Sequence, residues 1–67
     1  MYDSYLNELN NNALEEIIYE SDDLQAAEIL FFRLIKKEPA HAKRIAIKAR
    51  NLGSKNQAVC RIARNNG

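Results

Sequence analysis

The segment S-D-D-L-Q-A-A-E-I-L-F-F-R-L-I-K-K, Ser21 to Lys37, predicts a helix at the centre of the domain. Its first three residues carry short oxygen-bearing side chains that cap the free N–H groups of a helix start, and acids suit the positive helix end. Two lysines in the last turn complement the negative end. The apolar side chains of this helix cover most of its circumference, which is typical of a helix in the core. They are Leu24, Ala27, Ile29, Leu30, Phe31, Phe32, Leu34 and Ile35.

Two shorter helices are predicted before this segment. The first has apolar residues at helical spacing, namely Tyr2, Tyr5, Leu6 and Leu9. A run of three asparagines then weakens the helix, because asparagine competes for backbone hydrogen bonds. Asn12 and Glu15 have the spacing of a variant capping box, which predicts that the second helix begins there.

Two further helices are predicted after the central one. Pro39 suits the first position of a helix, where its missing N–H costs nothing. That helix has one inward face of mostly small residues, formed by Ala42, Ile45, Ala46, Ala49 and Leu52. Gly53 is predicted to end it with a left-handed cap. Ser54 and Gln57 then form a capping-box pattern that predicts the start of the last helix.

Composition supports a single all-helical domain spanning residues 1–67. The chain has 67 residues, 46% of them hydrophobic, with only two glycines and one proline for tight turns. A single cysteine cannot form an internal disulfide, which favours a reducing, cytoplasmic setting. The apolar run from Ala26 to Ile35 is too short to span a bilayer, so no membrane partner is expected. The predicted fold is all-α, a compact bundle of four to five short helices ending in a helix-turn-helix-like pair.

Charge is divided unequally between the two halves of the chain. Residues 1–32 contain eight acids and no lysine or arginine, whereas residues 33–67 contain ten bases and one acid, Glu38. The net charge of +1 therefore conceals halves of about −8 and +9. Such asymmetry indicates either a charged partner or neutralisation of one half by the other.

The segment A-R-N-L-G-S-K-N-Q-A-V-C-R-I, Ala49 to Ile62, resembles the DNA-binding helix-turn-helix of phage repressors and related bacterial regulators. That unit needs a small residue one turn before a glycine bend, met here by Ala49 and Gly53. It also needs branched apolar residues on the buried side of the second helix, met by Val59 and Ile62. Lys48 and Ser54 are polar at positions that are usually apolar in the family.

The resemblance implies a small regulator of phage or mobile-element type that binds DNA, as a dimer where binding is sequence-specific. On the second helix and its start, it implies outward side chains that contact bases and phosphates. Basic residues of the preceding helix would hold the DNA backbone. The implied DNA-binding residues are Lys43, Arg44, Lys48, Arg50, Lys55, Asn56, Gln57, Arg61 and Arg64.

An alternative function uses the acidic half. A protein-binding inhibitor or adaptor, of the kind phages direct against host machinery, would bind a basic host protein through clustered carboxylates. The candidate residues are Glu15, Glu16, Glu20, Asp22, Asp23 and Glu28. Equally, the two halves could lie against each other, with exposed ion pairs that contribute about 0–1 kcal/mol each.

The sequence contains no recognisable catalytic constellation, so we expect a non-enzyme with no cofactor and no metal site. His41 is interpreted as a surface residue because no nearby group gives metal-ligand spacing. Cys60 is interpreted as a half-buried small residue, since no paired base would activate it. Ile47 lies away from the apolar face of its helix, which indicates a homodimer contact or a second packing surface.

Overall fold

A computed structural model describes residues 4–64 of the chain, and this part folds as a compact bundle of five helices without strands. The helices are α1 (Ser4–Glu8), α2 (Asn11–Ser21), α3 (Leu24–Leu34), α4 (Pro39–Asn51) and α5 (Gln57–Arg64). The radius of gyration of 10.9 Å is that of a well-packed domain of this length. The all-α bundle predicted from the sequence is confirmed. None of the described helices is long and apolar enough to cross a membrane.

Helix α3 is the centre of the bundle, as its sequence predicts, and packs against α1, α2 and α4. Five of its side chains are buried, namely Ala26, Ala27, Leu30, Phe31 and Leu34. Complete burial of a leucine or phenylalanine stabilises the fold by roughly 1.5–3 kcal/mol. Phe32 is the exception among the large apolar residues of α3, with 48% of its surface exposed. Its ring instead stacks edge-on against Phe31, with centroids 5.0 Å apart.

The end of α3 and the start of α2 differ from the predictions by a few residues. Helix α3 ends at Leu34 rather than at Lys37, and residues 35–37 form a turn closed by the Glu38 N–H on the Leu34 carbonyl at 2.8 Å. Pro39 accounts for the early end, because it has no N–H to donate to the carbonyl of Ile35 and its ring would clash with that carbonyl in a continuous helix. Asn10, not Asn12, is the N-cap of α2, since its extended backbone lets Oδ1 accept the N–H of Ala13 at 2.8 Å.

Asp23, the last of the three residues predicted to mark the helix start, is the N-cap of α3. Its Oδ1 accepts a hydrogen bond from the N–H of Ala26 at 3.1 Å. Asp22 before it has a φ of +52°, and its N–H binds the carbonyl of Ile18 at 3.0 Å, which ends α2. The adjacent aspartates therefore end one helix and begin the next without an intervening loop.

Helix α1 is attached to the bundle by an arginine of α3. The guanidinium of Arg33 donates to the carbonyls of Leu9 at 2.6 Å and Asn7 at 2.7 Å, and to Oδ1 of Asn11 at 3.2 Å. A cation at the C-terminal end of a helix satisfies carbonyls that lack helical partners and complements the helix dipole. Tyr2, assigned to this helix from the sequence, lies outside the described residues.

Candidate nucleic-acid interface

The connection from α4 to α5 turns at Gly53, as predicted. Gly53 has a φ of +105°, and its N–H binds the carbonyl of Arg50 at 3.0 Å. The N–H of Ser54 reaches back to the carbonyl of Ala49 at 2.9 Å. These two bonds form a Schellman motif, which ends α4 and redirects the chain towards α5.

Helix α5 begins three residues later than the predicted cap. Ser54 is not the N-cap; Asn56 has that role, because its Oδ1 accepts the N–H groups of Ala58 at 2.9 Å and Val59 at 3.3 Å. The side chain of Ser54 is buried and donates to Oε2 of Glu28 on α3 at 2.6 Å. The same hydroxyl oxygen accepts the N–H of Asn56 at 3.3 Å, which lies before the first turn of α5, so it does not cap the helix. The bond from Ser54 to Glu28 also joins the α4–α5 connection to α3.

Helix α5 has a sharply divided surface. Val59 is completely buried, and Ala58, Ile62 and Ala63 pack partly buried against the core. The opposite side carries Gln57, Arg61 and Arg64, which are exposed and line an open concavity together with Cys60. We call the exposed side, formed by Gln57, Cys60, Arg61 and Arg64, the outer face of α5. The bend at Gly53 therefore leaves this face directed to solvent.

The remaining cations implied by the resemblance occupy different sides of α4 and the connection. Lys55 is exposed in the connection. Lys43 and Arg50, seven residues apart, share one flank of α4, while Arg44 is exposed on the side away from the core. Asn56 is exposed, but its amide oxygen is occupied by the cap.

Lys48 is separated from the other cations. Its Nζ lies 3.0 Å from Oδ1 of Asp22 and 5.6 Å from the centre of the Tyr19 ring, so it faces α2. Helical geometry places this edge of α4 roughly opposite Lys43 and Arg50. Lys48 is thus held against the C-terminal end of α2, on a different side of α4 from Lys43 and Arg50.

Ion pairs between the two halves are few in residues 4–64. All ten lysines and arginines lie in this range, and Lys48 is the one that forms an ion pair with an acid there. Arg33 is bonded to neutral oxygens instead. Direct ion pairs within this range therefore neutralise only a small part of the uneven charge.

Most carboxylates of the alternative, acidic site have partners inside the molecule. Oε2 of Glu15 lies 3.2 Å from Nε2 of His41, and Asp22 binds Lys48. Asp23 caps α3, and Glu28 accepts the Ser54 hydroxyl. Two members, Glu16 and Glu20, are exposed and have no bonded partner among the described residues.

Three residues considered individually in the sequence also have defined surroundings. His41 is half-buried between α2 and α4, with Glu38 4.0 Å away on its other side. Cys60 is half-buried, as predicted, and its thiol donates to the carbonyl of Ser54 at 3.5 Å. Ile47 is 41% exposed, and Lys43 and Arg50 flank it one turn away on either side. No group of three or more metal-ligating side chains occurs within residues 4–64.

Two of these side-chain contacts have no signal in the sequence. Glu28 and Ser54 are 26 residues apart, as are Glu15 and His41, and neither pair belongs to a local motif. The sequence does predict which side of α5 is buried, because Val59 and Ile62 recur at helical spacing. The chain matches no protein-family model, no curated protein and no solved structure.

Proposed function

We propose that this protein is a small non-enzymatic regulator that binds duplex DNA, with α4 and α5 forming a helix-turn-helix. The observation that carries the proposal is the outer face of α5. Gln57, Arg61 and Arg64 project from one side of a helix whose other side is anchored by buried Val59. Arginine and glutamine side chains on an exposed helix have the chemistry that reads base edges in the major groove.

The roles divide by side-chain chemistry and position. Gln57 is the first residue of α5 and Arg61 follows one turn later on the same side, so they contact base edges. Three other cations contact phosphates. Arg50 lies in the last turn of α4, Lys55 in the connection and Arg64 at the far end of α5. Lys43 extends the phosphate contacts along α4. Lys48, held by Asp22, has no part in binding.

The proposed partner is DNA rather than a basic protein, because most of the candidate acids have partners inside the molecule and the arginines of α5 do not. Four of the six candidate acids are committed to internal contacts. By contrast, Arg61 and Arg64 have no acid partner in residues 4–64, although the chain contains nine acids. Unpaired cations gathered on a protruding helix raise the local potential and attract a polyanion.

The direct test is fluorescence anisotropy with a labelled duplex of mixed sequence in low salt. Arg61→Ala combined with Arg64→Ala is expected to weaken binding at least tenfold, because loss of phosphate and base contacts costs about 1–3 kcal/mol each. The matched control is Lys36→Ala combined with Lys37→Ala, which removes the same charge from the exposed turn after α3. This control should bind nearly as well as the unaltered protein.

Two results would refute the proposal. One is absence of duplex binding by the unaltered protein in low salt. The other is an equal loss of affinity in both double variants, which would make binding a matter of net charge alone. A stoichiometric complex with a protein that persists after nuclease treatment and is lost in Glu16→Lys would instead support the inhibitor.

A further inference from the structure

The exposed side of α3 carries an apolar pair between two opposite charges. Glu28, Ile29, Phe32 and Arg33 line one shallow concavity, which Asn7 of α1 and Asn56 at the start of α5 also border. Phe32 is half-exposed, and its ring is supported by the edge-on contact with buried Phe31. A supported aromatic ring at the surface is a typical anchor of a protein interface.

We propose that this surface, defined by Glu28, Ile29, Phe32 and Arg33, binds the same surface of a second copy of the chain. The four residues are arranged symmetrically about the middle of the segment 28–33, in the order acid, apolar, apolar, base. A two-fold axis there runs the α3 helices of two copies antiparallel. It sets Glu28 of each copy beside Arg33 of the other, and Ile29 beside Phe32. Two Glu28–Arg33 pairs therefore form across the axis, and none of these four residues faces a like charge.

Both charges are fixed in position without being neutralised. Glu28 accepts a neutral hydroxyl from Ser54, and Arg33 donates to two carbonyls and an amide oxygen. Each side chain is half-buried and has no opposite charge beside it in residues 4–64. Ordered charges lose less conformational entropy when they pair across an interface.

Two other exposed apolar residues, Ile47 and Tyr19, do not suit symmetrical pairing. Ile47 lies between Lys43 and Arg50, so a two-fold contact there would bring four cations together. Tyr19 lies on the helix that carries exposed Glu16 and Glu20. Like charges across an interface oppose association. A homodimer contact is one of two alternatives for Ile47 in the sequence; in this proposal the contact is at Phe32 instead.

The proposed pairing depends only on the residues of α3 and does not require DNA binding. If both proposals hold, the dimer surface borders the start of α5 at Asn56, so two copies present two recognition helices related by a two-fold axis. Such an arrangement matches an inverted repeat in DNA. The small patch implies a weak dimer in solution, at the low end of interface sizes.

Sedimentation equilibrium without DNA, at concentrations up to about 1 mM, tests the pairing. The unaltered protein should show a reversible monomer–dimer equilibrium. Phe32→Ala should raise the dissociation constant about 30-fold, the effect of removing a central aromatic anchor. Ile47→Ala, which truncates an exposed apolar side chain outside the patch, should leave it unchanged. A protein that stays monomeric at 1 mM, or one in which Ile47→Ala has the larger effect, overturns the proposal.

A charge exchange identifies the partner surface. Glu28→Lys alone and Arg33→Glu alone each place like charges across the axis, so each variant should be monomeric. Their mixture should form a heterodimer, because the two altered surfaces are complementary. Circular dichroism of each variant confirms that it remains helical. If both variants are helical but their mixture stays monomeric, α3 does not form the interface. If either variant is unfolded, the comparison of Phe32→Ala with Ile47→Ala decides whether α3 forms the interface.

Discussion

Gly53 has a backbone conformation that other residues rarely adopt, and the position of α5 depends on it. Its φ is +105°, and a Cβ atom built there would meet no atom within 4 Å. The requirement for glycine is therefore conformational and not a matter of space. Because the Schellman bonds of Gly53 and Ser54 turn the chain, a change of backbone at this point would move the outer face of α5.

Replacing Gly53 with L-alanine should lower the free energy of unfolding by about 1–2 kcal/mol, because L-residues are strained at positive φ. The matched control is D-alanine at the same position, introduced by chemical synthesis, since its mirror-image preference suits positive φ. Urea denaturation should give the D-alanine protein a stability equal to or above that of the glycine protein. Equal losses in both proteins would mean that bulk, not φ, is at fault.

At the scale of the helix, the caps decide where each element begins. The sequence predicts the existence, order and buried faces of the helices well, because apolar periodicity and the residues Pro39, Asp23 and Gly53 act locally. Two of the predicted starts are wrong. Asn12 and Ser54 have side chains that can cap a helix, but in each case an asparagine two positions away is the cap. Asn10 has the extended backbone of an N-cap, and Oδ1 of Asn56 accepts the free N–H groups of α5.

For the candidate site, the sequence predicted the two sides of α5 but not the contacts between distant residues. The buried side of α5 follows from its apolar spacing, and the exposure of Gln57, Arg61 and Arg64 follows from the helix period. The contact of Lys48 with Asp22 could not be predicted, because the two residues are 26 positions apart and meet only because α2 and α4 both pack against α3. The exposure of Phe32 was also unforeseen, since α3 is apolar on nearly every side.

The corrected cap of α2 leads to a paired test. Asn10→Ala should destabilise the protein by about 1 kcal/mol, because the N–H of Ala13 loses its acceptor. Asn12→Ala should have almost no effect or a slight stabilising one, since alanine is the better helix former inside α2. Thermal denaturation of both variants measures the difference. The opposite order would restore Asn12 as the cap.

For the whole molecule, the separation of charge creates an electrical polarity along the chain that internal ion pairs do little to cancel. Exposed pairs such as Lys48–Asp22 contribute at most about 1 kcal/mol to stability, and in the proposed function the remaining cations attract DNA. Binding of a polyanion by such a surface releases counterions and weakens as salt rises.

Lys43→Ala should therefore reduce DNA affinity for all sequences alike and make the salt dependence shallower by about one unit of log–log slope. Arg61→Ala should mainly reduce discrimination between sequences, provided a preferred site has first been selected from a random pool. Affinity measured from low to high salt for both variants separates the two roles. If the two variants behave identically, the division between phosphate and base contacts is wrong.

Titration of isotopically labelled protein with duplex DNA, followed residue by residue in amide NMR spectra, tests the DNA-binding surface most directly. The largest shifts should fall on residues 55–64, with smaller ones near Lys43 and Arg50, and α2 should be almost unaffected. Shifts concentrated on α2 around Glu16 and Glu20, or no shifts at all in low salt, would contradict the assignment of α5 as the recognition helix.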